Sequence, residues 1–365
     1  MAEAQHTASG TVAELTYPFA GPPAPGQTLE VAPGVLWIRM PMPLALDHIN
    51  LWAIADGAGW TVVDTGLRNA GTAEVWEDLF EGALGGRPVT RVIVTHMHPD
   101  HIGMAGWLTR RFNCRLWMTR LEYLHCRVLV ADNGREAPPD AIRFLLGAGW
   151  DDTAIEGYRA RFGNFGKGTY ALPDSYRRLR DKEVVRIGQH DWVVVVGNGH
   201  SPEHACLWSP ELKLLISGDQ VLPRISSNVS VHPMEPDADP MSDWLTSLKK
   251  IASNVPDDVL VLPGHNECFH GLHARLASLA AGQEAALERL KIALAKEPRR
   301  VVDVFPALFR RPVTGSDAQL LGLATGESQA CLNYLLYRGD ISVDVDAGGV
   351  RWYSLCGARS EAVGS

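Results

Sequence analysis

The stretch VTRVIVTHMHPDH (89–101) decides how this chain is read. Its first eight residues are a near-continuous β-branched run, the pattern of a strand buried on both faces. The run stops in HMHPDH, which puts His96, His98, Asp100 and His101 within six residues. Imidazole and carboxylate are donors that Zn²⁺ takes, and a loop at a strand end can aim several of them at one point. The bland alternative is a polar surface loop with coincidental histidines. With 13 His in 365 residues, three in six positions stand far above the average density.

Three further strand runs end the same way: His200 after VVVVGNG, Asp219 after LLISG, and His265 after VLVLPG. Singly, each is as well explained by a structural histidine or a turn aspartate. With the first cluster they make seven donors, enough for two metal ions that share a carboxylate and keep a water position open.

Upstream, GVLWIRM (34–40), HINLWAIAD (48–56) and WTVVDTG (60–66) read as successive strands, with Asp56–Gly57 as a hairpin turn. Helices are expected at 70–82 and from Ile102 to Phe112, then a β/α unit over 115–133. Residues 134–182 interleave Gly, Pro, Arg and aromatics without a clear strand and read as an inserted helical cap. Strands return at 183–188, 191–198, 205–209, 213–219 and 258–265, with a helix at 239–254. From about 270 the pattern is helical, including short helices near 300–309 and 316–324 and a longer one over 327–340. ISVDVD and GVRWYSL then close the chain as a hairpin, the outline of a winged-helix module. The expected organisation is an arm (1–29), a main domain (30–270) and a C-terminal domain (271–365).

Composition excludes several classes. A 46% hydrophobic, 21% charged chain is ordinary for a globular protein. No apolar run reaches the roughly 18–20 residues of a membrane span. A net charge of −8 is a poor basis for binding nucleic acid. The first residues lack a basic start and apolar core, so no secretory signal is read there. Six scattered cysteines without a CxxC pair read as individual buried thiols, which places the protein in a reducing cytoplasm.

THMHPDH resembles the HxHxDH signature of the metallo-β-lactamase superfamily, and VVDTG (62–66), GHSPEH (199–204), SGD (217–219) and PGH (263–265) follow in that family's order. The resemblance implies an α/β fold, an αββα sandwich with metals at the open edge between its sheets. It implies that His96, His98 and His200 bind one metal, that Asp100, His101 and His265 bind another, and that Asp219 bridges them. Asp64 of the DTG would orient the ligand histidines. The full set is similar to glyoxalase II-like and lactonase-like hydrolases, which implies two divalent ions, zinc first with manganese or iron as substitutes. A metal-bridging hydroxide would be the nucleophile and Asp100 the catalytic proton acceptor. Secreted β-lactamases with a Cys ligand match less well, since no cysteine falls in these motifs. The last 95 residues resemble the winged-helix appendage of a subset of the superfamily, some of whose members are nucleases.

The leading functional expectation is hydrolysis of a small ester, thioester or lactone, with aromatics of the insertion walling an apolar pocket. His48, Asn228 and His232 are candidates to line it, Asn228 or His232 as an oxyanion donor. Hydrolytic dehalogenation of an activated aromatic is one alternative. Cleavage of RNA or DNA through the tail is another, but residues 271–365 carry 11 Lys+Arg against 10 Asp+Glu. Arg299, Arg300, Arg310 and Arg311 are its one basic cluster. A non-catalytic binding protein would have lost ligands, and iron-pair redox chemistry would need a flavodoxin-like partner domain. The apolar run from Leu320 to Leu336 suits packing on the main domain or a homodimer.

Overall fold

The computed structural model describes residues 15–313 and 318–357. One sheet contains β1 (Leu29–Ala32), β2 (Val35–Pro41), β3 (His48–Asp56), β4 (Gly59–Val63), β5 (Val89–Ile93), β6 (Arg115–Met118) and β7 (Arg177–Arg178), side by side in that order. Its pairings are antiparallel up to β4 and parallel from β4 to β7. The second sheet has the order β12-β11-β10-β9-β8, from β8 (Val184–Ile187), β9 (His190–Gly197), β10 (His204–Ser209), β11 (Leu214–Gly218) and β12 (Leu260–Pro263). Only β11 and β12 pair in parallel there.

Alternation along these strands builds the layers. Trp37, Trp52, Ile54 and Val63 of the first sheet meet Trp192, Val194, Leu207, Ile216 and Leu262 of the second in one buried cluster. Their sequence neighbours point outward. On the first sheet Ile38, Met40, Leu51 and Val62 lie under α1 (Ala70–Glu81), α2 (Pro99–Ile102), α3 (Ala105–Phe112) and α4 (Arg120–Ala131). On the second, Val195, Cys206, Leu215 and Val261 join one large core with α5 (Pro139–Gly147), α6 (Asp152–Arg161), α7 (Pro240–Asn254), α8 (Leu272–Leu294), α9 (Phe305–Leu308) and α10 (Ala318–Tyr337). The result is helix, sheet, sheet, helix, closed by the hairpin β13 (Ile341–Val345) and β14 (Arg351–Leu355).

Several elements differ from expectation. The helix expected from Ile102 to Phe112 is divided into α2 and α3, because Met104 N–H donates to Gly66 and the Gly103 carbonyl accepts from Tyr170. Conversely, the two helices expected on either side of residue 326 are one. Gly326 does not break α10 but lets Ser230 and Val231 approach, since a Cβ there would meet Ser230 Cβ at 2.9 Å. The 134–182 insertion packs on two sides of the fold. Its α5 and α6 pack into the C-terminal core, its aromatics Phe165, Tyr170 and Tyr176 pack on the other outer cluster, and Arg177–Arg178 pairs with β6. From Leu15 onward the arm is also docked, with Phe19 6.1 Å from Trp37. All six cysteines are free; four are buried, but Cys114 is half-buried and Cys356 exposed. No helix among the described residues is long and apolar enough to cross a membrane.

Candidate metal centre

Parallel pairing of β4 with β5, and of β11 with β12, sends the C-terminal ends of each pair the same way, and the chemistry gathers there. His96 and His98 follow β5, and Pro99 at the start of α2 turns the chain so that His101 faces inward. Asp219 follows β11 and His265 follows β12. Gly264 is needed for this approach: a Cβ on it would lie 2.4 Å from Asp219 Oδ1. Gly218, at φ +47°, likewise leaves room for His204 Nε2.

The structure brings all seven expected donors together. They form three overlapping groups, His96–His98–His200, His96–His101–Asp219 and Asp100–His101–His265, with donor atoms within 4.8 Å of one another in each. His96 Nε2 is 2.8 Å from His98 Nδ1 and 3.3 Å from His200 Nε2. Asp219 lies between the groups, 3.3 Å from His101 Nε2, 3.4 Å from His265 Nε2 and 3.7 Å from His200 Nε2. Asp100 Oδ2 is 3.3 Å from His265 Nε2.

The far nitrogens of these rings are held by the protein. Asp64 takes His101 Nδ1 at 2.7 Å and is itself fixed by the N–H and hydroxyl of Thr95, each at 2.8 Å. His200 Nδ1 donates to the Asn228 carbonyl and His265 Nδ1 to the His48 carbonyl, both at 2.8 Å. Inward, His101 Nε2, His265 Nε2 and Asp219 Oδ1 are buried without a hydrogen-bond partner. Buried polar atoms left unmatched at the focus of an otherwise bonded cluster are costly unless something fills it. Oriented nitrogens outside and unsatisfied donors inside fit a metal site.

Electrostatics divide the cluster. Burial opposes charge on every ring, and neighbouring imidazoles reinforce it at His96, held well below the usual histidine value; burial and His200 push His98 down to about 3. At His265 burial is outweighed by the Asp219 carboxylate, which pushes it up to about 9, and at His101 by Asp219, Asp64 and Asp100. Asp100 is lowered to about 2, because His101 and His265 overcome its burial.

Other residues were not singled out from sequence. Glu122 of α4 accepts the N–H groups of Met97 and Glu203, each at 2.8 Å, and so clamps the HMHPDH loop to the GHSPEH loop. His204 accepts from the Asp219 N–H at 3.1 Å and stacks 4.8 Å from His96. Asn50 donates to the carbonyls of Pro263 and Asn266 on both sides of His265. The three candidate lining residues surround the cluster without joining its donors. Both ring nitrogens of His48 are engaged, by Asp47 and by the Asn266 N–H. One Asn228 amide N–H is tied to Glu327 and its Oδ1 accepts from Ser230, while its backbone carbonyl supports His200. His232 is exposed at the rim of a cleft, 6.4 Å from His125.

With that geometry in place, comparison gives the family. The model of the metallo-beta-lactamase superfamily matches residues 44–265. The chain belongs to this superfamily. Members of it are metal-dependent hydrolases, and the His/Asp cluster here could hold a metal ion. A second family model, the metallo-beta-lactamase-like C-terminal domain, matches residues 287–356. A beta-lactamase domain protein from Burkholderia ambifaria is 42% identical, over 94% of this chain and 98% of that one, with a TM-score of 0.86. A metallo-beta-lactamase family protein from Thermus thermophilus shares the fold at 24% identity and TM-score 0.74, over 89% of this chain and all of that one. A protein of Aquifex aeolicus (strain VF5), described as uncharacterized, is 23% identical over 48% of this chain and 68% of its own length.

Proposed function

We propose that the protein is a dinuclear metal-dependent hydrolase of a small ester, thioester or lactone. The observation that carries this reading is the seven-donor cluster, with its outer nitrogens bonded to protein and its inner atoms unmatched. His96, His98 and His200 would hold one ion, Asp100, His101 and His265 the other, and Asp219 would touch both. Divalent ions bound there supply Lewis acidity and a water that ionises near neutral pH. Imidazole and carboxylate without thiolate suit zinc, and manganese or iron are compatible.

The protein's own groups divide the remaining work. The Asp219 side chain is 5% exposed and serves as a fixed interior carboxylate. Asp100 is 20% exposed, and its Oδ2 is the oxygen placed to accept a proton on the open side of the cluster. Beside the segment that holds His200 lies a cleft of about 280 Å³ lined by Phe144, Trp150, Tyr158, Phe162, His232 and Leu323. It suits the apolar part of a small carbonyl substrate. No observation favours nucleic acid in its place: in the tail's basic cluster, Arg299 is paired with Glu297 and Arg300 with Asp303. Turnover of chromogenic esters, thioesters and lactones by metal-reconstituted protein tests the proposal. Hydrolysis of at least one class, lost on chelation and regained with metal, is the expected result; inactivity across all three classes contradicts it.

A further inference from the structure

The structure assigns Glu327 of α10 the role of a positioning residue for the metal centre, acting through Asn228 on His200. The inference rests on the metal-site reading above and extends it to the C-terminal part of the chain.

The connection is a continuous line of hydrogen bonds. His200 turns its Nε2 toward the cluster while its Nδ1 donates to the Asn228 carbonyl, at 2.8 Å. That carbonyl is aimed by what holds Asn228 itself. Its Nδ2 donates to Glu327 Oε2 at 2.9 Å, and its Oδ1 accepts from the Ser230 hydroxyl. Further along, Val231 N–H donates to the carbonyl of Gly326, the residue before Glu327. Segment 228–231 is therefore laid against one turn of α10 by both a side-chain and a backbone bond.

The helix is a firm base for this. Trp150 donates to Thr325 at 2.9 Å, and Asn333 donates to the carbonyls of Pro236 and Ala238 at 3.0 and 2.8 Å. Leu332 and Leu335 are fully buried in the same core as α7 and α8. Glu327 thus extends from a rigid element and offers an acceptor one residue removed from a candidate ligand. Partners of ligating histidines fix the ring and its basicity, and losing one typically costs about 10–100-fold in metal affinity.

The test uses full-length protein loaded with Co²⁺ alone, read by chelator competition and by the visible spectrum of the bound ion, with circular dichroism as a check on folding. Glu327→Ala should lower Co²⁺ affinity, with the about 10–100-fold cost of losing a direct partner as the upper bound, and shift the visible bands. Glu327→Gln keeps an oxygen that can accept from Asn228 and should restore both readouts. Asn228→Asp replaces the donor by an acceptor without touching α10 and should reproduce the loss, which keeps the test decisive if Glu327→Ala does not fold. Wild-type affinity and spectrum in Glu327→Ala or in Asn228→Asp would overturn the inference, as would equal losses in Glu327→Gln and Glu327→Ala. Those outcomes leave the metal-site reading standing, whereas wild-type protein that binds no Co²⁺ removes both.

Discussion

Asp64 adopts φ +60°, a left-handed conformation that few residues other than glycine take. Its carboxylate offsets that strain by gathering two donors from Thr95 and the far nitrogen of His101. Asp64→Ala should therefore weaken metal binding about 10–100-fold with secondary structure unchanged, as measured by chelator competition; undiminished affinity would remove its orienting role. Glu122 gives a pH signature. Burial pushes its carboxyl up to about 7 from the ordinary 4.5, against the pull of the hydrogen bonds it accepts. The folded protein thus retains a proton that the unfolded chain releases near 4.5. The resulting stability is fully present below that pH and lost as pH rises through about 7, by up to about 3 kcal/mol. Urea unfolding of metal-free protein at about pH 5 and about pH 8 should show a larger loss in the wild type than in Glu122→Gln, which keeps the similarly raised Glu327; equal pH dependence in both would contradict it. The seven donors were legible in the sequence because His96, His200, Asp219 and His265 come just after strand runs and His98, Asp100 and His101 cluster beside the first of them, a local signal. Glu122, His204 and Glu327 were not, because their partners lie on other segments: Glu122 is 25 residues from Met97 and 81 from Glu203. Such residues carry no pattern of their own until the fold brings the segments together.

Strands were more legible than helix boundaries, for a physical reason. A period of two sorts residues such as Trp37 and Ile38 to opposite sides of a sheet, and both sides here are covered by apolar layers. Helix limits depended on glycines whose role the sequence leaves open. Gly103 lies where α2 gives way to α3, whereas Gly326 continues through α10 and serves a close contact. The spacing of Leu332, Leu335 and Leu336 predicts a buried stripe on this last helix. Leu332 and Leu335 are fully buried, and Leu336 is half-buried against the same core. Leu332→Ala should cost about 2–5 kcal/mol, because neighbouring helices leave little room to collapse around the lost side chain. Urea denaturation measures this, and a loss below about 1 kcal/mol would show that α10 is only loosely seated.

At the scale of the molecule, the sheet sandwich and the C-terminal helices are held by a common core. Val195, Cys206, Leu215 and Phe269 pack in one cluster with Leu290, Leu308, Leu332 and Tyr353. Sequence pattern alone makes the insertion and the tail additions to a hydrolase domain, since both differ from it in composition and period. The apolar faces of α5, α6 and the tail helices instead pack with the second sheet, and between α5, α6 and α10 lies a cleft that also touches Ser230 and Val231. Long-range packing of this kind joins residues far apart in sequence, so periodicity within a segment does not reveal it. The central claim is that the His/Asp cluster at the sheet ends binds two ions linked by Asp219. Elemental analysis of gently purified wild-type and Asp219→Ala protein tests it most directly. The account predicts about two transition-metal ions per wild-type chain and a clear loss in the variant; only traces in the wild type, or an undiminished content in Asp219→Ala, would contradict it.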